Sequence, residues 1–307
     1  MNTKSKLSGQ EVIRAFSKKS GSYTSWAEFQ KEAAGRLSGW LPDKLPGQIL
    51  ETGAGTGLFT RYLIRKYPDI PILVTDASKE MLIACRHELG RLFPDLISNG
   101  FDINTQMARS ITLSPGIADC DTVAAYTGSS ADKSSKRDLR FFVYNPEKEG
   151  PHTLKHHLVV SALTAQWFSD FKKGIAALAN SVSDRGQIIF SYLTNSSFPE
   201  WSNKCSELGI PYTANRLPDA ESGSNVLRSM GFDVKSKNIS ITIGYASAID
   251  FFRSLKMTGA STQLGGISNR PSDMKRLISA IELTDNRVSR TEKVFITYNL
   301  DIVTGFR

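Results

Sequence analysis

No run of apolar residues in this chain is long enough to cross a bilayer. Segments such as Leu158–Val160 and Ile188–Phe190 fall far short of the roughly 20 residues that a membrane helix needs, so no membrane partner is expected. Cysteine is scarce as well. The three residues, Cys85, Cys120 and Cys205, are far apart and form no CxxC pair, which argues against both a disulfide framework and a zinc site. Accordingly no metal is expected. Behind Lys4 and Lys6 there is no apolar stretch of the kind that opens a secretory signal, so a cytoplasmic location is expected. Histidine is nearly as rare: His87 lies on a helical pattern and His152, His156 and His157 precede a strand, with no catalytic dyad or triad among them. What the chain does have is a hydrophobic fraction of 40% in 307 residues, enough to bury a large core. Its formal net charge of +8 favours an anionic partner without choosing one.

Hydrophobic spacing organises the rest. Val12, Ile13 and Phe16 share one helical face, and Trp26, Phe29, Ala33, Leu37 and Trp40 recur every three or four residues, so two helices, broken at Gly21-Ser22, form an N-terminal helical cap over 1–45. After Pro46-Gly47, the apolar Ile49-Leu50 runs into a glycine loop, and Leu58, Phe59, Tyr62 and Leu63 resume helical spacing. Pro71–Asp76 reads as a second buried strand, with Ser78 as the N-cap of a helix through Met81, Leu82 and Cys85. A right-handed βαβ unit follows from this order. Further on come a strand at Leu158–Val160, a helix carrying Phe171, Ile175, Leu178 and Val182, a turn at Arg185-Gly186 and a strand at Gln187–Phe190. Near the end, Ile239, Ile241 and Ile243 alternate with polar residues, as do Val294, Ile296 and Tyr298, which suits antiparallel strands with one half-wet face. Between about 100 and 140 the pattern fails, and an insertion is expected there, either a lid or a surface excursion.

The loop Glu51-Thr52-Gly53-Ala54-Gly55-Thr56-Gly57 places backbone N–H groups and a helix start around a ligand. A dinucleotide fingerprint would be GxGxxG, whereas Gly53, Gly55 and Gly57 make GxGxG with an acidic residue two positions ahead, as in proteins that bind S-adenosylmethionine. Asp76 ends the next strand, where a carboxylate can accept both ribose hydroxyls. Ala77 and Met81 beyond it, and Ser161 at the end of the later strand, are counted with the expected cofactor contacts. The expected cofactor is S-adenosylmethionine, leaving as S-adenosylhomocysteine. The fold class is then α/β: a doubly wound, Rossmann-like, mostly parallel seven-stranded sheet with an antiparallel C-terminal strand pair, the helical cap and the insertion, with 46–307 as the methyltransferase domain.

Several segments narrow this reading. Val12–Ser17 with Ser22-Tyr23 and Glu28-Phe29-Gln30, then Val160–Trp167, Phe190–Leu193 with Phe198-Pro199-Glu200, Ala214–Pro218 and Arg253–Ala260, together resemble the malonyl-acyl-carrier-protein O-methyltransferases of biotin synthesis. There are departures: that family commonly has Cys where Ala54 stands, Asn where Ala162 stands, and an acidic residue beside the adenine where Asn145 stands, with Pro146 following. Asn145 can still hydrogen-bond an adenine.

The resemblance implies methyl transfer to the free carboxylate of malonyl-acyl carrier protein, giving the methyl ester that primes pimeloyl synthesis for biotin. A carboxylate is ionised near pH 7, so no general base is required and catalysis rests on alignment and exclusion of water. Arg216, Arg253 and Lys256 are the candidate cations for the acceptor carboxylate or an acidic carrier, Tyr23 for the cofactor mouth, and Gln166 and Trp167 for the pocket wall. An acyl carrier protein is strongly acidic, which would match the net charge, densest at Lys133, Lys136, Arg137 and Arg140. Two other readings stand beside this one: a small carboxylic-acid O-methyltransferase, and a non-catalytic adenosylmethionine-binding module. Nucleic acid is not an expected partner, because Glu147-Lys148 follows Asn145-Pro146 where an amine-methylating enzyme carries proline and an aromatic residue. A monomer is expected.

Overall fold

The computed structural model describes residue 14 and residues 28–94, 139–257, 269–283 and 294–307. Tyr23, the first helix of the cap apart from Arg14, Cys120 and the insertion expected at about 100–140, as far as residue 138, lie outside the described residues. Helix α1 (Glu28–Ser38) leads to β1 (Ile49–Thr52), α2 (Thr60–Lys66), β2 (Ile72–Asp76) and α3 (Lys79–Leu92). Next among the described residues come β3 (Leu139–Val143), the short α4 (Pro146–Glu149), β4 (His156–Ala162), a single 3-10 turn (Ala165–Trp167), α5 (Phe171–Asn180) and β5 (Val182–Leu193). The chain ends through α6 (Pro199–Leu208), α7 (Ser222–Ser229), β6 (Asp233–Tyr245), α8 (Ala248–Met257), α9 (Pro271–Glu282) and β7 (Val294–Phe306).

The seven strands form one sheet in the order β3-β2-β1-β4-β5-β7-β6. The first five are parallel, with Ile49 opposite Ile72 and Leu158, and β7 runs antiparallel between β5 and β6. Burial explains the composition of each strand. All four residues of β1 are buried, as befits a central parallel strand covered on both faces. In β7, burial alternates from Val294 to Asn299 and is then continuous from Leu300 to Gly305. Phe29, Ala33 and Leu37 of α1 share a core with Leu63, Leu82 and Ile302 on one face, while Ile175, Leu178, Leu227 and Phe232 pack on the other. Helices therefore cover both sides. The ring of Phe29 stacks on Tyr298 with centroids 4.1 Å apart, so α1 is part of the main core. Among the described residues no helix is long and apolar enough to cross a membrane.

Two boundaries differ from the periodicity. Val182, which fits the stripe of α5, instead opens β5 opposite His156, because the helix stops at Asn180 and Ser181 donates its hydroxyl to Ala177 O. Arg185-Gly186 is an irregularity within that strand, with Arg185 at φ +61° and a register shift between His156 and Leu158. The strand β3 begins inside the stretch that shows no pattern, with Arg140 opposite Leu73.

A buried polar junction secures the antiparallel end. Tyr192 Oη donates to Asp301 Oδ2 at 2.8 Å and accepts from Gly223 N at 3.0 Å, while Glu221 N also donates to Asp301 Oδ2 at 3.2 Å. Replacing Tyr192 by Phe strips partners from Asp301 and Gly223 at once. Urea unfolding of Tyr192→Phe should show a loss of about 1–3 kcal/mol; an unchanged midpoint would show that this junction carries no stability.

Candidate active site

The site forms where the parallel strands end and where the connections from β1 and β4 diverge to opposite sides of the sheet, the place at which open α/β sheets bind ligands. Beyond Thr52 the backbone passes through Gly53, Gly55 and Gly57 at φ +73°, +57° and +84°, a conformation that disfavours side chains. A β-carbon on Gly53 would stand 2.0 Å from Thr164 Oγ1, and one on Gly57 would stand 2.9 Å from Cys85 Sγ. Gly55 has open space instead, and its N–H donates to Asp76 Oδ2 at 2.9 Å. The other oxygen, Oδ1, accepts from Ser78 N at 2.8 Å. Ser78 in turn caps α3 through Met81 N at 3.1 Å. Burial raises the pKa of the Asp76 carboxyl, and the backbone N–H bonds from Ser78, Gly55 and Ala77 oppose that rise.

These groups border a cleft of about 800 Å³, its open mouth included. Gly53, Gly55, Asp76, Ala77, Met81, Asn145 and Pro146 all line it. Three other expected contacts sit just behind the wall. Ser161 donates its hydroxyl to Thr52 O at 3.0 Å, tying β4 to β1; Gly57 packs on Cys85; Glu51 is 1% exposed, with its Oε2 left without a partner. Burial pushes the Glu51 carboxyl up to about 8, with a smaller opposing hydrogen bond from Thr60 and a further push from Asp76. Cys85 and Cys205 are buried free thiols.

The lining also includes residues that spacing did not single out, Tyr144, Leu163, Thr164 and Phe168, together with Trp167. Leu163 adopts φ +54°, a costly conformation for a branched side chain. It is held there by its N–H bond to Ser191 O at 3.0 Å and by Gln166 Nε2, which donates to Leu163 O at 2.8 Å. Gln166 thus supports this wall from behind. Nothing in the sequence spacing marks Thr164, because its importance comes from standing over Gly53.

Arg216, Arg253 and Lys256 are exposed, and none of them lines this cleft. Arg253 pairs with Asp250 at 2.6 Å. His152 Nδ1 and His156 Nε2 lie 3.1 Å apart in the interior, where burial, then the neighbouring His152 and His157, bring the His156 pKa down to about 3. These imidazoles are structural. Among the described residues no group of three or more His, Cys, Asp or Glu side chains could hold a metal ion.

The buried Glu51 generates a pH test. Its folded pKa of about 8 lies above the ordinary 4.5, so between those values the unfolded chain releases a proton that the native protein keeps. Stability from this group is full below pH 4.5 and declines as pH rises through about 8. The Tm of Glu51→Gln relative to the parent should therefore climb from pH 5 to pH 8 and then level off (~8 being the folded pKa). A flat difference would mean that Glu51 ionises as if in water.

No family profile matches the chain. Curated proteins do. The malonyl-[acyl-carrier protein] O-methyltransferase of Magnetococcus marinus is 27% identical over 265 residues, which is 84% of this chain and 77% of that protein. The enzyme of the same name from Priestia megaterium is 23% identical over 314 residues, 95% and 96% of the two chains. Among solved structures, the YcgJ protein of Bacillus subtilis superposes with a TM-score of 0.51 at 12% identity, over 90% of this chain and 98% of that one. A Bacillus halodurans protein described as a candidate methyltransferase gives 0.52 at 11%, over 89% and 97%. The structural matches establish the fold, and the sequence matches carry the chemistry. The chain is an adenosylmethionine-dependent methyltransferase, similar along most of its length to the malonyl-[acyl-carrier protein] O-methyltransferases.

Proposed function

We propose that this enzyme methylates the free carboxylate of malonyl-acyl carrier protein, forming the ester that primes pimeloyl synthesis for biotin. The observation that carries the reading is the similarity to enzymes of that name over 84% and 95% of the chain. The cleft fits the methyl donor. Asp76 stands at the end of β2 to accept the ribose hydroxyls, with Ala77 and Met81 beside it, and Asn145-Pro146 meets the base. Gly53 and Gly55 let the backbone approach the amino-acid arm, while Gly57 and Ser161 hold the loop and β1 in place behind it. An ammonium group bound beside Glu51, whose Oε2 has no partner, would draw its raised pKa down and favour the carboxylate.

Bound there, adenosylmethionine supplies a sulfonium methyl; a carboxylate oxygen forms the new C–O bond as the C–S bond breaks, its electron pair returns to sulfur, and S-adenosylhomocysteine leaves. The protein's own part is to orient and to keep water away. Leu163, Trp167 and Phe168 make one side of the cleft largely apolar, which suits transfer to a weak oxygen nucleophile. Tyr23, Arg216, Arg253 and Lys256 are proposed to guide the acceptor and its acidic carrier, as a net charge of +8 favours. In this reading residues 1–45 cap the domain formed by 46–307, and the enzyme acts as a cytoplasmic monomer.

Intact mass should show one methyl group added to malonyl-acyl carrier protein in the presence of adenosylmethionine. If a free dicarboxylic acid is methylated and the carrier is not, the enzyme is a small-acid methyltransferase. Binding of adenosylmethionine with no transfer to any acid would mark a non-catalytic module. The double variant Arg253→Ala, Lys256→Ala should lower kcat/KM for the carrier roughly tenfold in a salt-dependent way, with cofactor affinity unchanged; loss of both together would refute the docking role.

A further inference from the structure

Asn145 lines the cleft at the point where β3 passes into α4. The orientation of its amide follows from its neighbours. Asn145 Oδ1 accepts from Glu147 N at 3.1 Å; a backbone N–H can only donate, so the amide oxygen must face it and the amide nitrogen must face elsewhere. The backbone of Asn145 is committed as well. Its N–H donates to Glu149 Oε1 at 2.7 Å, and its carbonyl accepts from Lys148 N at 3.1 Å and Glu149 N at 2.9 Å. Pro146, the next residue in the cleft wall, has no N–H to offer.

The neighbouring polar groups are spent in the same way. Tyr144 Oη donates to Gly150 O at 2.6 Å. The Glu147 carboxylate is taken up by Ser169 N at 3.1 Å, Asp170 N at 2.7 Å and the Ser169 hydroxyl. Among these side chains the Asn145 Nδ2 group is left, two N–H donors with no hydrogen-bond partner among the described residues.

Strand order decides what this donor meets. The order β3-β2-β1-β4 sets the strand ends in a row, with the glycine loop on β1, Asp76 on β2 and Asn145 on β3. Strands lie about 4.8 Å apart. A nucleoside whose ribose rests on Asp76 and whose amino-acid arm lies along the glycine loop has its base at the β3 end, with the edge farthest from the sugar toward Asn145. That edge of adenine carries an acceptor, N1, and a donor, the 6-amino group. Two donors cannot pair.

We propose that Asn145 is a specificity-determining residue that reads the base by donating from Nδ2 to the ring nitrogen N1, and that the 6-amino group is not what it recognises. This rests on the cofactor assignment above. It also gives the departure from an acidic residue at this position a consequence: a carboxylate would accept from the amino group, whereas the amide of Asn145 is turned to do the opposite.

Calorimetry with S-adenosylhomocysteine and with its 1-deaza analogue, which keeps the amino group and replaces N1 by C–H, tests the proposal. Asn145→Asp is the informative variant, since Asp caps as well as Asn and its melting curve checks that the fold is intact. Wild-type protein should bind the 1-deaza compound roughly five- to tenfold more weakly than S-adenosylhomocysteine, as expected for one lost hydrogen bond. Asn145→Asp should no longer distinguish the two ligands, because its carboxylate accepts from the 6-amino group that both carry. Equal binding of both by the wild type, or continued discrimination between them by a folded Asn145→Asp, would overturn the proposal and leave the cofactor assignment standing. Failure of the wild type to bind S-adenosylhomocysteine at all would remove both.

Discussion

The carboxylate of Asp76 is the clasp on which the cleft depends. One oxygen holds the N–H of Gly55 and the other that of Ser78, so a single side chain at the end of β2 fixes both the glycine loop that follows β1 and the entry to α3. Everything else at the donor end is placed relative to that clasp. Thr164 can rest against the loop only because Gly53 has no β-carbon, and Met81 reaches the cleft because Ser78 caps its helix.

Among the described residues Glu51 and Asp301 are buried and Asp76 is half-buried, and none of the three forms an ion pair. Glu51, Asp76 and Asp301 all have raised pKa values, with burial as the leading cause, and the groups that offset it are hydrogen-bond donors. The consequence differs by place. Asp301 is satisfied by Tyr192 and Glu221 N and acts as a structural joint between β5, β7 and α7. Glu51 keeps an oxygen unpaired beneath the glycine loop, which is a cost to the empty protein and an opportunity for a cationic ligand. Arg216, Arg253 and Lys256, by contrast, are exposed, and none of them lines the cleft.

The parallel half of the sheet was legible because its cause is local. Continuous apolar runs at Ile49-Leu50, Ile72–Val74 and Leu158–Val160, each followed by a turn and a helical stripe, leave little choice but a doubly wound sheet, and the alternating Ile239–Ile243 and Val294–Tyr298 marked the antiparallel pair. The end of α5 was harder. Val182 continues the apolar stripe of that helix, yet it pairs with His156, since strand pairing across the sheet outweighs spacing over one turn. The strand β3 was obscured by the patternless sequence before it, and its five residues are held by β2 as the outermost strand of the sheet.

By itself the sequence determined the donor side of this protein: GxGxG after one strand and Asp76 at the end of the next are local requirements for positive φ and for a carboxylate at a strand end, and neither depends on distant residues. Tertiary structure decided the rest of the cleft. Thr164 matters through its contact with Gly53, 111 residues away, Leu163 is held in its conformation by Ser191 and Gln166, and Ser161 and Glu51 proved to lie behind the wall. Such facts are set by which groups meet across the sheet and how their hydrogen bonds are shared, and residue types in a row do not carry that information.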